Sequence, residues 1–227
     1  MVSKSTSTRA RTVITPSGAI VRGKFPSKKN GRMVHHEGLL ELEACYLFEM
    51  SPRVIAYREQ PLKLPYADGD RPRTYITDFE LALDNGETVL VEIKHSAILA
   101  RSEIRQKYSQ ITAHMERSGQ AFSILTEARI RQEPRLANLR RAYGELLPYA
   151  PTHARLESLL LHIETLQDPS IHEANSILKP YGVSAFDLLA SGYLACDLTQ
   201  PLSSSTVVSI SKERSYDWVH ISEELSI

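Results

Sequence analysis

The sequence has few cysteines, no long apolar run and no signal-like N-terminus, and each absence excludes a class of protein. Its two cysteines, Cys45 and Cys196, lie far apart and outside any CxxC pattern, so neither a disulfide framework nor a zinc site is expected. No apolar run approaches the roughly 18 residues of a membrane-spanning helix, and no apolar segment follows the N-terminal basic residues as in a secretory signal. We therefore expect a soluble, cytoplasmic protein with no membrane partner.

The sequence also lacks an excess of either charge. Its 27 Lys and Arg residues balance its 27 Asp and Glu residues, so any DNA-binding surface must come from local segregation of charge. Residues 1–30 are locally basic and contain no acid. We interpret them as a flexible arm with two possible roles, contact with DNA phosphates or a simply solvated terminus.

A hydrophobic fraction of 42% is enough for a real core, and 227 residues suit one large domain or two small ones. Pro148 and Pro151 indicate a boundary between residues 31–147 and 148–227. Three helical patterns and two short strands follow it, which is typical of a winged-helix-like α+β domain. These elements are predicted at 153–167, 170–178, 184–191, 193–198 and 205–210.

The pattern before that boundary predicts a mixed α/β domain, because helical and strand periodicities alternate along it. Ser51-Pro52 ends the first helix, since the residue before proline is pushed out of the α region. Ala67-Asp68-Gly69-Asp70 is predicted to be a turn. The predicted helices are 38–50, 101–117, 127–131 and 134–146. The predicted strands are 54–57, 62–66, 74–83, 88–95 and 121–126.

Three acids and one lysine stand out within these elements. In a strand, residues i and i+2 share a face, so Glu92 and Lys94 are neighbours while Val91 and Ile93 fill the other side. The loop before this strand decides where Asp78 lies.

A two-residue Asn85-Gly86 loop would put Asp78 opposite the face of Glu92. A three-residue loop, Asp84-Asn85-Gly86, would pair Leu83 with Glu87 and set Asp78 directly across from Glu92, with Gly86 in the left-handed position of a bulge. If the acids form a site, we expect the three-residue loop.

Two facing carboxylates, with Glu41 from the preceding helix as a third, offer the hard oxygen ligands that Mg²⁺ or Mn²⁺ prefers. Lys94 would then hold the attacking water and offset phosphate charge during hydrolysis of a phosphodiester. A Glu-x-Lys pair on the polar face of a strand is also an ordinary surface feature. The residues by themselves leave both interpretations open.

The order and spacing of several motifs between about residues 36 and 140 resemble the TnsA endonuclease of heteromeric cut-and-paste transposases, which is built on the PD-(D/E)xK restriction-endonuclease core. The stretches that carry the resemblance are Leu39-Leu40-Glu41 through Ser51-Pro52, Arg58-Glu59-Gln60-Pro61-Leu62, Tyr75-Ile76-Thr77-Asp78-Phe79, Val91-Glu92-Ile93-Lys94, Phe122-Ser123-Ile124-Leu125-Thr126-Glu127 and Asn138-Leu139. The resemblance implies a restriction-endonuclease-like mixed β-sheet flanked by helices. Thr77 stands where the superfamily has proline.

Carried over by position, the resemblance implies a magnesium site in which Mn²⁺ can substitute. Glu41, Asp78 and Glu92 would be the metal-binding acids and Lys94 the catalytic lysine, and we also place Ile93 among the metal-binding positions. Glu37 and Glu43 are nearby alternatives to Glu41, which fits the family's distance to Ser51-Pro52 better.

The resemblance further implies a bacterial, nucleoid-associated enzyme that nicks the 5′ ends of a transposon in double-stranded DNA. A DDE-type transposase subunit would cut the 3′ ends, and an AAA+ ATPase regulator would contact the C-terminal domain. The alternatives are a stand-alone restriction or repair nuclease of the same fold and a non-catalytic DNA-binding adaptor.

Positive charge also concentrates after the acids, where it could line the DNA backbone or form a solvated face. The candidate DNA-binding residues are Arg105, Lys107, Gln110, Arg129 and Arg131.

Overall fold

The structure is a computed structural model that describes residues 21–61, 63–68, 71–148, 151–211, 217, 219–221 and 225. Residues 1–20 of the predicted arm and residues 69–70 of the predicted turn lie outside this description. Within the described residues, no helix is both long enough and apolar enough to cross a bilayer.

The described part of the chain contains ten strands in four sheets. The strands are β1 (Arg22–Ser27), β2 (Arg32–Glu37), β3 (Val54–Glu59), β4 (Lys63–Asp68), β5 (Arg71–Ile76), β6 (Phe79–Leu83), β7 (Thr88–Ile93), β8 (Ala121–Leu125), β9 (Leu194–Ala195) and β10 (Ser209–Ile210). The central sheet has the order β3-β6-β7-β8, with β7 and β8 parallel and the other pairs antiparallel. Pairs β1-β2, β4-β5 and β9-β10 form two-stranded sheets.

Eight α-helices occur within the same described ranges. They are α1 (Leu39–Met50), α2 (Ser96–Leu99), α3 (Ser102–Arg117), α4 (Glu127–Ile130), α5 (Arg135–Glu145), α6 (His153–Ile163), α7 (Ile171–Leu178) and α8 (Ala185–Ala190). The predicted helices agree with these bounds to within a few residues. The mixed sheet flanked by helices is therefore confirmed as the fold class.

The two faces of the central sheet are covered by different apolar clusters. Val91 and Phe79 belong to the large cluster that includes α1. Leu90 points to the other face and packs with Tyr108 and Ile111 of α3. This alternation is what a strand buried on both sides requires, and it confirms the prediction that Val91 lies opposite Glu92.

The predicted arm is corrected from Arg22 onward, because residues 22–27 form β1 and pair with β2. Only Phe25 and Ser27 of this strand are buried, and its basic residues alternate with them toward solvent. The basic composition therefore gives no indication that the segment is a strand. The Ser27 hydroxyl donates to Glu49 of α1 over 2.8 Å. The hairpin is thus fastened to the first helix.

Lys29 is not a phosphate contact in this structure. Its ammonium group donates to the carbonyl oxygens of Phe48 at 3.1 Å and Val54 at 2.6 Å, and also to that of Ser51. A cation at this position pairs with the Phe48 carbonyl, which lies in the last turn of α1 and has no intrahelical partner, and it interacts favourably with the helix dipole. Burial lowers the pKa of Lys29 to about 8, against the opposing effect of Glu49.

The single predicted strand over 74–83 is wrong, because the chain changes sheets at Thr77-Asp78. β5 pairs with β4, whereas β6 pairs with β3 and β7. The predicted turn is also wrong at Ala67-Asp68, which extend β4. Pairing with a partner strand, which periodicity does not report, sets both boundaries.

The C-terminal segment shares a core with the rest of the molecule. Its buried residues, including Leu156 and Leu189, belong to the same apolar cluster as Leu139 of α5. The Asn138 side chain donates to the carbonyl oxygens of Leu198 and Gln200. Helices α6 to α8 and the short β9-β10 pair occur in the predicted order, and a winged-helix domain stays a prediction.

Candidate active site

The loop between β6 and β7 has three residues, as the sequence predicts for a functional hairpin. Leu83 accepts a hydrogen bond from the Gly86 amide at 3.1 Å, and its own amide donates to Glu87 at 2.9 Å. Gly86 has a φ of 87°, which glycine adopts without a steric penalty. The register pairs Phe79 with Val91. One further step along both strands sets Asp78 across from Glu92.

These acids line a pocket of about 720 Å³ at the end of the central sheet. Helix α1, the β4-β5 hairpin, strand β7 and helix α3 all contribute to its wall. The sequence-predicted residues among its lining are Glu41, Asp78, Glu92, Ile93, Lys94 and Lys107. The structure therefore brings all the predicted catalytic and metal-binding positions to one cavity, although they come from separate elements.

Backbone amides hold two of the carboxylates. Asp78 accepts from the Ile93 amide at 2.8 Å, and Glu41 accepts from the Glu37 amide at 2.6 Å. Burial raises the pKa of Glu41 to about 7, and burial followed by the charges of Glu92 and Glu41 raises the pKa of Asp78 well above its usual range. The pocket thus concentrates more negative charge than its own residues neutralise.

Glu92 is held by two phenols and an ammonium. The Tyr75 hydroxyl donates to its Oε2 at 2.5 Å, and the Tyr108 hydroxyl donates to its Oε1. Lys94 Nζ lies 3.0 Å from the same Oε1. Burial and then the charge of Glu92 raise the pKa of both tyrosines, so both remain neutral donors to this carboxylate.

Lys94 supplies positive charge beside the acids. Burial alone would lower its pKa, but Glu92 and then Asp78 raise it overall. Lys94 is therefore charged at neutral pH and can stabilise an anion in the pocket.

Lys107 lies at the wall on the α3 side. Its Nζ lies 5.5 Å from the ring centroid of Tyr75 and 5.4 Å from that of Tyr108. Both distances fit a cation–π contact. The same two rings therefore position Glu92 through their hydroxyls and Lys107 through their faces.

The helix acid at the pocket is Glu41 rather than Glu43. Glu43 accepts hydrogen bonds from Arg131 at 2.6 Å and Arg140 at 2.8 Å, and it does not line the cavity. Glu37 does line it, but its amide serves Glu41.

The other predicted DNA-binding residues lie outside the pocket. Arg105 is exposed on α3, and Gln110 is half-buried on the same helix. Arg129 is exposed on α4. Arg131 pairs with Glu43, so its charge makes a structural contact in addition to facing solvent or DNA.

Among the pocket residues that sequence reasoning did not assign to the site are Gln60, Tyr75 and Tyr108. Tyr75 precedes Asp78 by three residues in a different strand, and Tyr108 belongs to the apolar stripe of α3 that predicts only packing. A tyrosine in such a stripe has a hydroxyl that needs a polar partner when buried, and this requirement was the available signal. No spacing rule connects Gln60 to the acids, because the contact depends on sheet order.

The donor chemistry of the pocket suits a hard divalent cation, since three carboxylates converge with only partial neutralisation. Among the described residues, no three His, Cys, Asp or Glu side chains are already arranged as a coordination group. In this structure the carboxylate of Glu92 is turned to Tyr75, Tyr108 and Lys94. Hydrogen bonds of this kind also orient metal-binding carboxylates.

Comparison with known proteins adds an independent observation. Residues 51–127 match the family model described as TnsA-like endonuclease N terminal. The match covers Asp78, Glu92 and Lys94 but begins after Glu41. No curated protein matches the chain.

Proposed function

We propose that this chain, whose residues 51–127 match the family model of the TnsA-like endonuclease N-terminal domain, is the DNA endonuclease subunit of a transposase. Its proposed reaction is metal-dependent hydrolysis of phosphodiester bonds at the 5′ ends of a transposon during cut-and-paste transposition. One observation carries the proposal: Asp78, Glu92 and Lys94, all within the matched domain, line one pocket together with Glu41.

The proposed cofactor is Mg²⁺, with Mn²⁺ able to substitute, held by Glu41, Asp78 and Glu92 and by the backbone position of Ile93. Such an ion lowers the pKa of a bound water and neutralises charge on the scissile phosphate. Asp78 and Glu92 are well suited to hold it, because main-chain and phenolic donors fix their carboxylates before any ligand enters.

Lys94 acts directly on the reacting groups in this proposal. In hydrolysis, the oxygen of a water forms a bond to phosphorus while the bond to the leaving oxygen breaks. The water loses a proton and the leaving oxygen gains one, so one DNA end carries a phosphate and the other a hydroxyl. The ammonium of Lys94 holds the water and offsets charge on the phosphate as this exchange proceeds.

The proposed partners are double-stranded DNA with transposon ends, a DDE-type transposase that cuts the 3′ ends and an AAA+ ATPase regulator. Lys107 lines the same cavity and is the best placed of the predicted basic residues to meet the DNA backbone there. The segment after residue 148 is the proposed surface for the ATPase.

The test is a cleavage assay on DNA carrying the transposon ends, with a DDE transposase as the proposed partner and with Mg²⁺ or Mn²⁺. Wild type is compared with Asp78→Ala and Lys94→Ala, each checked for folding by circular dichroism. We expect both variants to lose the 5′ cuts while the partner's 3′ cuts persist. Cutting by this chain alone would instead identify a stand-alone nuclease, and unchanged 5′ cutting by the variants would refute the site.

A further inference from the structure

Gln60 is an unassigned residue of the pocket. It follows β3 directly and lines the cavity beside Asp78 and Glu41. Its backbone amide donates to the Asp78 carbonyl at 2.8 Å. The β3-β6 register, which pairs Glu59 with Phe79, therefore continues by one residue to Gln60 and Asp78. Gln60, Asp78 and Glu92 form a row across three strands.

The side chain of Gln60 carries an unsatisfied acceptor. Only 9% of the residue is exposed, and its Oε1 is buried without a hydrogen-bond partner. Buried polar atoms are nearly always paired, so an orphaned oxygen of a cavity-lining residue indicates a ligand, either a hydrogen-bond donor or a cation. The three carboxylates of the pocket already serve the proposed cation. We therefore assign the additional oxygen of Gln60 to a neutral hydrogen-bond donor.

The backbone of Gln60 is held in an unfavourable conformation. Its φ is 45°, a region that residues other than glycine seldom occupy. Pro61 follows it, and a residue before proline favours extended backbone with negative φ. Strain of this kind persists where the surrounding fold over-determines it, commonly at functional sites.

The chemistry of the pocket restricts the donor. A DNA phosphate has no hydrogen to give, so it cannot satisfy the Gln60 oxygen. Water can, and water is also the nucleophile that hydrolysis of a phosphodiester consumes. Lys94 directly follows β7 and carries a positive charge, and Gln60 directly follows β3 on the far side of Asp78. A donor and an acceptor on two sides would fix both the position and the orientation of one water.

We infer that Gln60 is a positioning residue whose side-chain oxygen accepts a hydrogen bond from the hydrolytic water. This inference rests on the proposed nuclease function and adds a role that no motif of the chain assigns. The strained backbone of Gln60 sets the direction of its side-chain amide. The hydrogen bond from the Gln60 backbone N–H to the Asp78 carbonyl keeps the residue in line with the acids. The water keeps its second hydrogen for the proton transfer that accompanies attack.

The experiment compares Gln60→Leu, which keeps the size and removes the amide, with Gln60→Asn, which keeps an amide and tolerates positive φ. Gln120→Leu is the matched control, because Gln120 lies at the opposite end of β7 and contacts Thr88. For each protein, with the partner transposase and saturating DNA, single-turnover 5′ cleavage is measured. Mn²⁺ affinity without DNA, DNA affinity and melting temperature are measured in parallel.

We expect Gln60→Leu to cut about tenfold more slowly, as loss of one neutral hydrogen bond in the transition state predicts, with Mn²⁺ and DNA affinities within about twofold of wild type. Gln60→Asn should recover part of the rate, and Gln120→Leu should match wild type. Cleavage by Gln60→Leu at the wild-type rate overturns the assignment. So does a parallel loss of Mn²⁺ affinity, which would make Gln60 a metal ligand. If wild type cuts nothing, both this inference and the proposed function fail.

Discussion

Asp78 Oδ2 accepts a hydrogen bond of 2.8 Å from the backbone amide of Ile93. A main-chain donor of β7 therefore fixes the Asp78 carboxylate beside Glu92. Because Ile93 lies between Glu92 and Lys94, this bond also fixes the spacing of the whole constellation. The carboxylate nevertheless lies in a buried position facing two other acids, and burial followed by the charges of Glu92 and Glu41 raises the pKa of Asp78. The site combines fixed geometry with electrostatic repulsion, and a cation would relieve that repulsion.

Asp78→Asn tests charge without removing the acceptor, since the amide oxygen can still bind the Ile93 amide. We expect cleavage to fall by more than about a hundredfold, which is the upper effect of losing a residue that only orients a metal ligand, because Asp78 is itself a proposed ligand. The metal-free variant should melt at a higher temperature than wild type, because one of three mutually repelling carboxylates has become neutral. Cleavage rates and calorimetric melting curves measure the two effects.

Added Mn²⁺ should stabilise wild type by about 3 kcal/mol at a hundredfold excess over its dissociation constant and leave Asp78→Asn nearly unchanged. Asp84→Asn is the control, since Asp84 pairs with Arg53 away from the pocket. If Mn²⁺ stabilised both variants equally, Asp78 would not be part of a metal site.

Tyr75→Phe removes one of the two phenolic donors to Glu92 and keeps the ring that contacts Lys107. We expect Mn²⁺ affinity to fall by about tenfold, the low end for a group that orients a metal ligand, with a matching fall in cleavage at subsaturating Mn²⁺. Titration calorimetry without DNA gives the affinity. Tyr66→Phe is the control, because Tyr66 packs against Tyr75 outside the pocket. Equal affinities for wild type and Tyr75→Phe would limit the phenol to packing.

Gln60→Gly separates stability from function. Glycine adopts a positive φ freely, so relief of the strain at 45° should raise the free energy of unfolding by about 1 kcal/mol while cleavage falls. Urea unfolding of the metal-free proteins measures this change. Gln120 does not have a positive φ, so Gln120→Gly should lower the free energy of unfolding instead. A destabilised Gln60→Gly would mean that side-chain packing, rather than function, holds the unusual backbone.

The hairpin shows how far the sequence alone can predict the site. Asn85-Gly86 predicts the hairpin from local geometry but leaves both a two-residue and a three-residue loop open. Only the hypothesis that Asp78 and Glu92 form one site favours the three-residue loop that the structure contains. Neither the turn residues nor that hypothesis reveals that the chain changes sheets at Thr77.

Contacts between distant elements account for what could not be predicted. Tyr75, Tyr108 and Gln60 reach the pocket from β5, α3 and the end of β3, and only the assembled sheet order brings them together. Lys29 illustrates the same limit, since its partners are carbonyls at the end of α1 and at the start of β3. Its charge suggested a phosphate contact, but the fold uses it as a helix cap.

That buried ammonium gives a pH-dependent prediction. The pKa of Lys29 falls from its ordinary 10.5 to about 8 on folding. Between these values the unfolded chain binds the proton and the folded chain does not, so the contribution of Lys29 to stability rises with pH. The difference in unfolding free energy between wild type and Lys29→Met should therefore grow in favour of wild type by about 2 kcal/mol from pH 7.5 to 9.5.

Urea unfolding at the two pH values measures this difference, and groups that titrate in both proteins cancel. Lys24→Met, a change at an exposed lysine of β1, is the control for the loss of a lysine side chain. A difference for Lys29→Met that stays constant with pH would show that its ammonium is solvated rather than buried at the end of α1.

Two basic residues that the sequence treats alike should differ in DNA binding. Lys107 lines the pocket and is held over Tyr75 and Tyr108, whereas Arg131 donates to Glu43 over 2.6 Å. We expect Lys107→Met to weaken DNA binding and to reduce the slope of log affinity against log salt by about 1, as loss of one phosphate contact predicts. Arg131→Met should leave the slope unchanged and instead lower the melting temperature, because Glu43 loses a partner.

Fluorescence anisotropy over a range of NaCl concentrations, with Ca²⁺ in place of Mg²⁺ to prevent cutting, measures both slopes. Equal slopes for the two variants would mean that DNA does not approach the pocket over α3, and the path of the duplex would then have to follow α4 and α5.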